Sequence, residues 1–129
     1  VSLRPVGVKK EKDMQDKITK IADHYGLDAQ LIKMAEECAE YSAAVLKTTF
    51  YREQVDQGAE KKRHFGPRVE AASDAMFKEL ADVMVLCRQI DYFMDIHPQL
   101  KTRIEELMEE KCDRQLRRIA DELNAGGRA

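Results

Sequence analysis

The chain has 129 residues, a formal charge of −2 and a pI near 6.0, and 36% of its residues are charged but only 6% aromatic. That length suits one domain with a real core, and the near-neutral balance supplies no general cationic field for nucleic acid. With 6 Gly and 3 Pro the composition describes long helices with few turns, so strands are not expected.

The first predicted helix runs from Lys9 to Tyr25, with Met14, Ile18, Ile21 and Ala22 at helical spacing, and stops at Gly26, a residue suited to a left-handed terminal position. Asp28 is the expected N-cap of a second helix carrying Leu31, Met34, Ala35, Cys38, Tyr41 and Val45 to about Phe50 or further. Between Thr48 and Arg68 the periodicity weakens and Gly58 interrupts. The run Glu60-Lys61-Lys62-Arg63-His64-Phe65-Gly66-Pro67-Arg68 is basic and turn-forming, which predicts a mobile connection over about 51–67. Pro67 fits the first turn of a third helix reaching about Ile96, and Pro98 opens a fourth reaching about Asn124. The expected fold is an all-α four-helix bundle, one domain over 1–129 with its core at about 9–124.

Cys38, Cys87 and Cys112 lie far apart among apolar neighbours and read as reduced core thiols. The longest uncharged apolar run near Asp82, Val83 to Cys87, is far shorter than the roughly 20 residues that span a bilayer, and no secretory signal is visible. A cytoplasmic protein with neither membrane nor nucleic acid as partner is the expectation.

The acids carry the chemistry. Glu36-Glu37-Cys38-Ala39-Glu40 on the second helix and Glu79-Leu80-Ala81-Asp82 on the third each place carboxylates on one helix face. Spacing alone decides nothing, because Glu105-Glu106-Leu107-Met108-Glu109 repeats the first pattern. Position decides: Ala72, Ala75, Glu79, Asp82, Leu86 and Phe93 follow one seam, so two acids stand where a bundle places apolar residues, and Met34, Glu37, Tyr41 and Ala44 form a similar seam. Asp82, with apolar neighbours on every side, is expected to be buried and therefore paired, protonated or bound to a cation. Glu106, Glu109 and Glu110 lie mostly off the stripe of Ile104, Met108, Cys112, Leu116 and Ile119, as a solvated face should.

If the two helices pack, Glu37, Glu40, Glu79 and Asp82 face one another, and each charged pair at roughly 6 Å repels by about 3 kcal/mol at an effective dielectric of about 20. A divalent cation resolves that conflict. Oxygen ligands suit Mg²⁺ first and Mn²⁺ next. A di-iron bundle needs Glu-x-x-His motifs, which His24, His64 and His97 do not form. The bland alternatives are pairing of the second-helix acids with Lys33 and a buried ion pair at Glu79 and Asp82. Lys111, Arg114 and Arg118 share one flank of the fourth helix and could meet phosphate oxygens, or simply favour the helix macrodipole.

Lys33-Met34-Ala35-Glu36-Glu37-Cys38-Ala39-Glu40-Tyr41 together with Glu79-Leu80-Ala81-Asp82-Val83-Met84 resembles the two signature helices of the MazG-like all-alpha nucleoside triphosphate pyrophosphohydrolases, over roughly His24 to Ile119. The resemblance implies Mg²⁺-dependent cleavage of (d)NTP to the monophosphate and pyrophosphate. It implies metal ligation by Glu37, Glu40, Glu79 and Asp82, with Glu36 a further ligand or the base for water. It also implies phosphate contacts from Lys111, Arg114 and Arg118, a base pocket near His24 and Gln30, and a homo-oligomer, dimer or tetramer. The departure is at Asp113, or Gln115 in another register, where relatives often carry Asn. A phosphoribosyl-ATP pyrophosphohydrolase-like enzyme and a non-catalytic helical bundle that binds a protein are the alternatives.

Overall fold

A computed structural model describes residues 4–127, with side chains from Gly7 onward. Among the described residues there are four helices and no strand: α1 (Arg4–Tyr25), α2 (Leu27–Val55), α3 (Ala59–Asp95) and α4 (Pro98–Gly127). The chain divides into two compact units, Val1–Phe93 and Met94–Ala129. No described helix is long and apolar enough to cross a membrane.

In the first unit α1 and α2 are joined by Gly26 alone, whose φ of 84° lies in the region that favours glycine. Its N–H donates to the Ala22 carbonyl, closing α1, and its own carbonyl accepts from Gln30 N–H, opening α2. Gly26 therefore holds the N-cap position expected of Asp28, which instead lies within the first turn, where a carboxylate favours the helix dipole.

The basic segment is a second difference. α2 continues to Val55, a short turn with Gly58 at φ 135° follows, and α3 begins at Ala59, so Glu60 to Arg68 is helical and Pro67 sits inside α3. An interior proline removes a hydrogen bond and costs about 3 kcal/mol or more. Packing on α2 offsets that cost: the Phe65 ring lies 6.3 Å from Phe50 and 5.8 Å from Tyr51. Lys61 Nζ also donates to Gln57 Oε1 at 2.6 Å and Gln54 Oε1 at 3.1 Å across the turn.

Two ladders with a spacing of seven organise the α2/α3 seam: Gln30, Glu37, Ala44 and Tyr51 on α2, and Phe65, Ala72, Glu79, Leu86 and Phe93 on α3. A seven-residue repeat keeps one face toward a neighbouring helix. The helices run antiparallel, giving successive layers: Tyr51 with Phe65, Ala44 beside Ala72, Glu37 with Glu79, and Gln30 with Gln89. α1 packs through Ile18 and Ala22, both buried, and is tied to α3 by Arg88 to Glu11 (2.5 Å) and to Gln15 (2.9 Å), and by Tyr92 Oη donating to Asp23 at 2.5 Å. That bond, first, and partial burial raise the Tyr92 pKa.

In the second unit Pro98 takes the first position of α4, as its missing N–H allows. His97 N–H donates to the Met94 carbonyl, and Lys101 Nζ meets Asp95 Oδ1 at 2.7 Å. Cys38 and Cys112 are exposed and only Cys87 is half-buried, so the expectation of three core thiols fails; around Cys112 no residue of α4 is buried. Burial pushes the Cys87 thiol up, away from reactive thiolate character.

Candidate functional site: a carboxylate layer beside a cavity

The interior of the first unit is unusually polar. Ile18, Ala22, Ala72, Leu86 and Phe93 are its buried apolar side chains, but Gln30, Glu37, Thr48 and Gln89 are buried as well. A buried polar group needs a partner. Thr48 finds one on its own helix, donating to the Ala44 carbonyl at 2.9 Å. Gln30 Nε2 donates to Gln89 Oε1, so the two amides satisfy each other across the seam.

Glu37 is the member left incomplete. It is 6% exposed; Lys33 Nζ reaches its Oε1 at 2.9 Å and Glu36 at 3.6 Å. Its Oε2 is buried without a hydrogen-bond partner, and so is Oε2 of Glu79 from the facing helix. Carboxylate oxygens of Glu37, Glu40 and Glu79 all lie within 4.8 Å of one another. Three acids converge, and two of them aim an unsatisfied oxygen into a place shielded from water. The Glu37 and then the Glu79 carboxylates raise the pKa of Glu40. The hydrogen bond and charge of Glu37 raise that of Lys33.

Next to this layer, and sharing Glu37 with it, is a cavity of about 590 Å³. Its apolar walls are Ile21 and Tyr25 of α1, Ile32 of α2, and Val85 and Leu86 of α3; Gln30 and Gln89 supply buried amides, and Glu36, Lys33 and Asp82 complete the lining. A concave, mainly apolar space with a few convergent polar groups is the usual form of a small-ligand site, within the roughly 300–1,000 Å³ such sites occupy.

No family model matches the chain, and no curated protein or solved structure matches it either.

The structure brings Glu37, Glu40 and Glu79 together and places Glu36 on the cavity wall. Asp82 is a correction: it is exposed, lines the cavity, and stands outside the trio. Its apolar neighbours misled because they are not enclosed; Met84 is 55% exposed and Val85 39%, and only Leu86, Gln89 and Phe93 of this stretch are buried. Gln30 lines the cavity, whereas His24 does not; its ring packs edge-on against Tyr25. Lys111, Arg114 and Arg118 belong to the second unit, exposed on α4 and without an ion pair among the described residues. Gln89 is a site residue that spacing along one helix missed, whereas the pairing of Lys33 with the second-helix acids, the bland alternative, is present at Glu36 and Glu37. Gln89 carried a signal, since it is a polar residue between Leu86 and Phe93 on the buried stripe.

Proposed function

We propose that this protein is a Mg²⁺-dependent nucleoside triphosphate pyrophosphohydrolase of the MazG-like kind, releasing a nucleoside monophosphate and pyrophosphate. The observation that carries the reading is the pair of buried, unpartnered carboxylate oxygens on Glu37 and Glu79, facing Glu40 beside a cavity with two buried amides. An all-oxygen donor set fits Mg²⁺, with Mn²⁺ as substitute. Glu37, Glu40 and Glu79 would hold it, with Asp82 drawn in from the cavity wall. The ion supplies charge neutralisation on phosphoryl oxygens and activation of water for in-line attack.

The chain's own residues bind and orient. Ile21, Tyr25 and Leu86 keep water from one face of a heterocycle, while the remaining amide atoms of Gln30 and Gln89 meet its polar edge. Lys33 fixes the rotamer of Glu37. Glu36, exposed at the rim, takes the proton of the attacking water. Phosphate contacts from Lys111, Arg114 and Arg118 belong to this reading on the sequence resemblance alone. A homo-oligomer belongs to it too, supported by the exposed Met108, Leu116, Ile119 and Leu123 on α4.

The test is pyrophosphate release from a panel of nucleotides with and without Mg²⁺, repeated for Glu40→Ala and Asp82→Ala. Activity absent across the panel, or undiminished in both variants, sinks the enzyme reading. The Lys33–Glu37 ion pair favours a second reading, a structural network in a non-catalytic bundle. That alternative expects no change in melting temperature with Mg²⁺.

A further inference from the structure

One layer beyond the acids, the seam is built from methyl groups. Ala44 and Ala72 occupy adjacent positions of the two ladders, and because alanine cannot fill the space between helices that larger residues hold apart, a cavity of about 270 Å³ opens there. That is just below the roughly 300–1,000 Å³ of pockets for drug-sized molecules, so a small ligand is indicated. Its polar lining is Lys47 and Arg68, both cations, with the neutral Tyr51.

Surface cations are common in a chain with 22 Lys and Arg, and most are only solvated. These two differ in their surroundings. They share one cavity although they come from different helices, and neither has a carboxylate partner among the described residues. Lys47 Nζ stands 5.9 Å from the centroid of the Tyr51 ring, which restrains the ammonium at the cavity without neutralising it. Lys47 lies seven residues beyond Glu40, roughly 10 Å along the helix axis. Lysine side chains on helices lean toward the N-terminus, which for Lys47 is the direction of the acids.

We infer that the cavity bounded by Lys47, Tyr51 and Arg68 is an anion site for pyrophosphate or the terminal phosphates of a polyphosphate ester. An ammonium and a planar guanidinium converging from two sides suit the several oxygens of a diphosphate group, through charge-assisted hydrogen bonds. The order along the seam then matches one extended ligand: amides and apolar walls, a layer that lacks a cation, a layer that lacks an anion. Assigning the group held there as the leaving pyrophosphate rests on the pyrophosphohydrolase reading; the anion site itself does not.

Calorimetric titration with inorganic pyrophosphate at 0.15 M salt, with and without Mg²⁺, tests it. Lys47→Ala and Arg68→Ala each weaken binding roughly tenfold, as loss of one charged hydrogen bond does. Arg68→Lys retains part of the affinity, and Lys62→Ala, a cation outside the cavity, stays within about twofold. Both cavity cations are exposed, so their truncation leaves the core intact. Wild-type protein that binds no pyrophosphate at millimolar concentration, a double variant that binds like wild type, or equal weakening by Lys62→Ala overturns the site. If nucleotides are not hydrolysed but pyrophosphate binding follows Lys47 and Arg68, the anion site stands and the enzyme reading falls. If hydrolysis proceeds and the double variant keeps its pyrophosphate affinity, the reverse holds.

Discussion

Two stretches of this chain carry the same acidic spacing and end in opposite environments. On α2, Glu36-Glu37-x-x-Glu40 turns Glu37 inward to 6% exposure, opposite Glu79. On α4, Glu105-Glu106-x-x-Glu109 stays on the surface, where Glu106 makes only a loose 3.8 Å pair with Arg103. The motif is the same string in both places. The difference lies in the ladder beneath it: Glu37 belongs to a run at intervals of seven with Gln30 and Ala44 that faces another helix, and Glu106 is off its helix's apolar stripe. A carboxylate acquires chemistry when packing removes its water, so register carries more information than spacing.

The largest expected effect separates the two motifs by activity. Glu37→Gln and Glu79→Gln lower pyrophosphate release at least about a hundredfold, the scale of losing a group that stabilises transition-state charge. Glu106→Gln and Glu109→Gln leave it within about twofold, and equal losses in both pairs break the comparison.

Melting curves sharpen it next. At about 100 times its dissociation constant, Mg²⁺ bound only to the folded state adds about 2.7 kcal/mol of stability. The upward shift in melting temperature disappears in Glu37→Gln and persists in Glu109→Gln. A shift unaffected by Glu37→Gln would move the ion to another place.

The amide layer ranks third. Gln30→Ala leaves Gln89 buried without its partner and destabilises the fold by about 1–3 kcal/mol. The double variant Gln30→Ala/Gln89→Ala costs less than the sum of the single ones, which denaturant titrations of all four proteins measure as a coupling energy.

A smaller effect depends on pH. The Glu40 pKa is raised in the folded protein, so between the ordinary carboxylate value and that raised value the folded state holds more proton than the unfolded one. The stabilising contribution of protonated Glu40 is present below that window and lost as pH rises through it. Metal-free protein in chelator therefore loses melting temperature across the window, and Mg²⁺ flattens the dependence by compensating the charge. A metal-free profile that rises there instead would contradict the convergence of the three acids. At the bottom of the scale, Arg103→Ala on α4 changes stability by no more than about 0.5 kcal/mol, as exposed ion pairs do.

Much of this architecture is legible in the sequence. The helical content followed from the scarcity of Gly and Pro, and the α3 seam through Ala72, Glu79, Leu86 and Phe93 was visible as an apolar line interrupted by an acid. What stayed hidden depends on contacts between helices. Asp82 looked buried because apolar residues flank it in sequence, but burial is conferred by a neighbouring helix, and α3 turns Leu86 and Gln89 inward there. The basic stretch looked like a loop because Pro67 ends most helices, and the rings of Phe50 and Tyr51 that hold Phe65 in helix lie on another element. Lys47 and Arg68 gave no single-helix signal at all, since only the antiparallel register brings them to one cavity.

The single-residue joint at Gly26 couples two walls of one cavity. Tyr25 and Ala29 stand on either side of it and both line the cavity of about 590 Å³, so one pair of backbone torsions relates a wall residue of α1 to a wall residue of α2. A loop of several residues would leave the spacing of those walls to the side-chain bonds of Arg88 and Tyr92 alone. With one glycine at φ 84° the chain itself shares in holding it, so a change at this one joint would shift α1 against α2 while leaving every wall residue in place.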